Sequence, residues 1–127
     1  MGPVIGELQV LVLDCPEPTA LARFYQGVLG GEVDRRDRRW ALSTDWSTLH
    51  LDSGQVLAFQ GVADHRPPVW GDPARPQQSH LDVAVRDLEA AHEEVLALGA
   101  TLLHAPANGV WRVYADPAGH PFCLVRH

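Results

Sequence analysis

The chain has 127 residues, of which 46% are hydrophobic and 20% charged, and its formal charge is −6 with a pI near 5.5. That length suits a single domain whose core needs no metal or disulfide staple, and no apolar run approaches the ~18 residues of a membrane span. The acidic balance disfavours nucleic acid as a partner; the absence of a basic-then-apolar leader and of CxxC spacing around Cys15 and Cys123 predicts a reduced, cytoplasmic setting.

The first apolar run, Ile5 to Leu13, reads as a buried strand that ends at Asp14-Cys15-Pro16. Pro18 suits a first helical position, where its missing N–H costs nothing. Leu21, Phe24, Tyr25, Val28 and Leu29 then fall on one helix face, which Gly30-Gly31 closes. Three short strands are expected next, at Glu32–Arg35, Thr48–Leu51 and Gln55–Gly61, with a further piece around Trp40–Ser43. The segment from Val62 to Ser79 holds Pro67, Pro68, Pro73 and Pro76, so it reads as an irregular connector, either a spacer or a functional lid.

The order then repeats. Leu81–Val85 is a strand, Asp87 an N-cap, and Leu88, Ala91, Val95 and Leu98 a helix face closed by Gly99. Strands follow at Thr101–His104, Val110–Ala115 and Pro121–Arg126. Setting Leu29-Gly30-Gly31 over Leu98-Gly99-Ala100, and Gly54 over Gly119, brings both halves into step. The result is a β-α-β-β-β unit written twice, an α+β chain.

Several stretches carry a wider likeness: Leu13-Asp14-Cys15-Pro16, Leu21-Ala22-Arg23-Phe24-Tyr25, Val28-Leu29-Gly30-Gly31, His80-Leu81-Asp82-Val83, and Asp116-Pro117-Ala118-Gly119-His120-Pro121-Phe122. In their order and spacing the sequence resembles the vicinal oxygen chelate (VOC) superfamily, in its glyoxalase-like and bleomycin-resistance-like branch. The resemblance covers nearly the whole chain. It implies one domain over residues 1–127, with module one at about 5–61, the connector at 62–79 and module two at about 80–126. It also implies that the two modules form a curled mixed sheet around a cup, usually within a homodimer, and that the cup takes a small molecule.

Metal-using members of the superfamily place ligands on the first and last strands of each module. Here those positions hold His80 and Cys123 in module two, but Ala58 and Val10 (or Gln9) in module one. Alanine and valine have no lone pair to give. The resemblance with this departure therefore predicts a cup without metal; a divalent ion, if held at all, would rest on His80 and Cys123.

His80 and Asp82 stand two apart on a strand and so share a face, either as an oriented base or simply as partners for buried polar groups. Cys123 reads as a nucleophile, a soft ligand or a small core residue. Trp40, Trp46, Trp70 and Trp111 lie off both helix faces; they suit stacking against a planar ligand, with Gln60 as a polar companion, or else fill a sheet or dimer contact. No serine-hydrolase elbow, phosphate loop or dinucleotide fingerprint is present. Two functions survive. One is a binding module that sequesters an apolar or aromatic compound, as in drug resistance. The other is a lyase, isomerase or oxygenase that uses His80.

Overall fold

Strand pairing starts only where the first apolar run finds a partner. In the computed structural model, which describes residues 4–35, 40 and 45–127, β1 spans Leu11–Cys15 rather than starting at Ile5. Its ladder begins with Leu11 opposite Leu57. Upstream, Ile5 and Leu8 are fully exposed, so apolar content alone did not make a strand there.

Helix α1 (Pro18–Leu29) has its proline in the first turn and buries Leu21, Ala22, Phe24 and Tyr25. The strands β2 (Glu32–Val33), β3 (Trp46–His50) and β4 (Val56–Gly61) complete a four-stranded sheet in the order β1-β4-β3-β2. β1 runs parallel to β4 and the other pairs are antiparallel. β2 stops early because Asp34 takes a positive φ of 56° and turns its carboxylate onto the Ser47 hydroxyl and the Thr48 amide. β3 begins two residues before the expected Thr48. Apart from Trp40, the piece expected at Trp40–Ser43 lies outside the described residues.

The second half follows the sequence closely. β5 (Leu81–Val85), α2 (Leu88–Leu98), β6 (Thr101–His104), β7 (Trp111–Ala115) and β8 (Pro121–Arg126) form a sheet ordered β5-β8-β7-β6. The Asp87 carboxylate accepts from the Ala90 amide at 3.0 Å, which satisfies one orphan donor of α2. Gly99 closes the helix in the left-handed region, φ 111°.

The chain divides into two compact units, residues 1–63 and 64–127, so most of the connector belongs with the second half. In unit 2, α2 covers one sheet face through Leu88 and Val95, and His92 Nδ1 meets the Tyr114 hydroxyl at 2.8 Å. Tyr114 and Phe122 stack on that face at 5.5 Å. The opposite face is left for other work.

Candidate functional site

Register puts the site together. Asp82 lies opposite Cys123, and Cys123 opposite Val113, so the three side chains share one sheet face. Trp111 pairs with Val125 one step along, on the same face, and His80 sits two residues before Asp82. Together with Trp70 and Gln77 from the connector, these residues line a cavity of about 410 Å³, an ordinary size for a small-molecule site.

The walls are mainly apolar. Trp70 and Trp111 each contact the ring of His104, at 6.3 Å and 5.7 Å, so the indoles belong to one aromatic row. Three of the polar groups, on His80, Asp82 and Cys123, cluster together. His80 Nε2 stands 3.1 Å from Asp82 Oδ1, with both side chains open to solvent. Cys123 is nearly buried. Burial, the Asp82 charge and a hydrogen bond to that carboxylate push its thiol up to about 11, so it stays protonated at neutral pH. A thiol held in that state is a poor nucleophile.

The connector earns its place as a wall through contacts within unit 2. His65 Nε2 meets the Ala118 carbonyl at 2.8 Å, and Pro67 lies against Gly119. Gly119 has φ +91°, and a Cβ there would collide with the Pro67 ring. Arg75 Nη2 donates to the Pro67 carbonyl at 2.7 Å and closes the loop that presents Trp70.

Of the residues expected at the site, His80, Asp82, Cys123, Trp70 and Trp111 line this cavity. Gln60, Trp40 and Trp46 belong to unit 1. There the Gln60 amide donates to the Asp45 and Gly61 carbonyls, and buried Trp40 sets its ring edge-on to His50 at 5.4 Å. Trp46 pairs with Gln60 across the β3–β4 ladder. Gln77, Val113 and Val125 also line the cavity, beyond the residues expected from the sequence. The two valines follow from period-two alternation with Cys123 and Trp111; nothing in the sequence marks Gln77.

Register also settles the ambiguous module-one position. Ala58 pairs with Val12 as Cys123 pairs with Asp82, so Val10 is the counterpart of His80. The four counterparts of His80, Asp82, Cys123 and Val113 are thus Val10, Val12, Ala58 and Thr48. Asp82 adds a donor that the expected pair lacked, since the ligand atoms of His80, Asp82 and Cys123 all lie within 4.8 Å of one another. By type and number, one nitrogen, one oxygen and one sulfur fit a borderline ion such as zinc. They do not suit an oxygen-seeking ion such as manganese or magnesium.

Comparison with known proteins bears on the family. The glyoxalase-like domain model matches residues 10–125, almost the entire chain. The chain belongs to the glyoxalase-like domain family. No curated protein sequence matches this glyoxalase-like protein. Among solved structures it is similar to a glyoxalase/bleomycin resistance/dioxygenase family enzyme from Burkholderia phytofirmans, at 18% identity and TM-score 0.69, covering 95% of this chain and 98% of that one. A glyoxalase-related enzyme from Fulvimarina pelagi is 24% identical with TM-score 0.64, over 97% and 89% of the two chains. The fosfomycin resistance protein FosX from Listeria monocytogenes, solved with Mn(II) and a dihydroxypropylphosphonic acid, is 14% identical with TM-score 0.68, over 97% and 93%. At these identities the likeness establishes the α+β VOC fold of two four-stranded mixed sheets, each with one helix. No helix among the described residues is long and apolar enough to cross a membrane.

Proposed function

We propose that this glyoxalase-like protein binds a small planar apolar or aromatic molecule in the unit 2 cavity without a metal, and so sequesters it, in the cytoplasm and as a homodimer. The observation that carries the reading is the composition of the cavity: Trp70, Trp111, Val113 and Val125 offer apolar walls, and the His80–Asp82 pair in the same lining can orient a polar group. An indole contributes a large flat face at little entropic cost, which suits a planar ring. Resistance by sequestration is one use of such a site.

Titration of chelator-treated protein with a set of planar aromatic compounds tests the reading. Binding is expected to quench tryptophan fluorescence, and Trp111→Ala to weaken it by about 1–3 kcal/mol through lost stacking and apolar burial. A full set that leaves the fluorescence unchanged would refute it.

A second reading rests on the three-donor cluster. In it the protein is a VOC-type lyase, isomerase or oxygenase. His80, oriented by Asp82, takes a proton from substrate, or His80, Asp82 and Cys123 hold a zinc-like ion that would supply Lewis-acid polarisation. Cys123 would have to give up its proton to such an ion, which makes loading costly at neutral pH. The manganese of FosX belongs to that enzyme; the nitrogen, oxygen and sulfur set here is of a different chemical character. Metal analysis after dialysis separates the metal-holding form of the second reading, which expects one equivalent per chain that His80→Ala abolishes, from the first, which expects well under one. The metal-free form of the second is separated by turnover that His80→Ala abolishes.

A further inference from the structure

The charge of the cavity is more informative than its shape. Among the described lining residues the charged ones are His80 and Asp82, with no lysine or arginine. With His80 neutral the lining carries −1, and with His80 protonated it carries 0. In neither state is it positive. A neighbouring hollow of about 550 Å³, which shares Trp70 and Gln77 as walls, has Asp72 as its charged residue. The chain as a whole carries −6, which adds a long-range field of the same sign.

Three groups in the lining favour positive charge. The Asp82 carboxylate is 62% exposed, and with His80 and the Cys123 thiol as neighbours it keeps capacity for further donors. The faces of Trp70 and Trp111 attract a cation through the ring quadrupole.

We propose that this site selects organic cations with an aromatic body, taking the ring against Trp111 and Trp70 and the positive charge beside Asp82. The proposal deepens the binding reading above and rests on it. It also sets the site apart from a phosphonate or carboxylate pocket, where a fixed arginine or lysine would be needed to pair the anion.

Calorimetric titration with three two-ring probes of matched shape tests it: N-methylquinolinium, quinoline and 2-naphthoate, with chelator-treated wild type and Asp82→Asn. The cation is expected to bind about tenfold tighter than quinoline, with naphthoate weakest. Asp82→Asn is expected to reduce the cation-to-quinoline ratio to about two or less, and added salt to reduce it in wild type. Asp82 is largely exposed, and circular dichroism of the variant would verify that it folds. Naphthoate binding as tightly as the cation, or a ratio indifferent to Asp82→Asn, would overturn the proposal. Equal binding of all three probes would keep the aromatic pocket and refute charge selection. Failure of all three to bind would refute the pocket reading and this proposal with it.

Discussion

Cys123 and Asp82 face each other across the β5–β8 ladder, and the consequence is a thiol that resists ionisation. In metal-free protein, alkylation of Cys123 by iodoacetamide should therefore reach half its maximal rate near pH 11, not in the ordinary thiol range. Asp82→Asn removes the repelling charge and should move that midpoint down. A rate that plateaus below the ordinary thiol pKa would contradict the assignment. Linkage gives the same direction for stability. A folded-state pKa raised above its unfolded value stabilises fully below the unfolded pKa, and the contribution is lost as pH rises through about 11. Asp82 was legible as a neighbour of His80 from their spacing. Its place opposite Cys123 was not, because parallel register between strands some forty residues apart is set by the whole sheet.

At the scale of elements, the second unit was read well and the first less so, for physical reasons. Helix α2 carries its own signals, a capping aspartate at Asp87 and a closing Gly99, and local signals survive in any context. Asp87→Ala should lower stability by about 1 kcal/mol, measured by denaturant unfolding. Strand β1 has no such local stop. Ile5 and Leu8 look like strand residues, yet only residues from Leu11 onward have β4 to pair with. The connector was recognised from its prolines as irregular, but its docking on the β7–β8 turn depends on Gly119, which the sequence marks only as a turn glycine. Gly119→Ala should cost about 1–3 kcal/mol and, by displacing the segment that presents Trp70, should weaken binding of planar aromatic compounds. Unchanged affinity in a variant with that loss of stability would detach the connector from the site.

At the scale of the molecule, the twofold repeat was visible because the two halves share glycines and helix faces. What the halves do not share lay in single side chains: His80, Asp82 and Cys123 in one, Val10, Val12 and Ala58 in the other. Four tryptophans offered no hint of which two would line the cavity, since a bulky ring fills a core or walls a pocket equally well. Leu11 and Val12 are exposed on β1, which stands at the end of the first sheet's strand order, and the homodimer proposed above is open to a direct test. Light scattering should give a mass near twice 13.9 kDa, and a concentration-independent monomer would reject that.

The unit 2 cavity is proposed to take a planar organic molecule without a metal. A crystal structure of chelator-treated protein soaked with a planar aromatic compound tests it most directly. Ligand density is expected flat against Trp111, with a polar atom within hydrogen-bond reach of His80 or Asp82. Ligand density elsewhere would contradict it. So would an empty cavity after soaking untreated protein that shows an ion at ~2.0–2.3 Å from His80, Asp82 and Cys123.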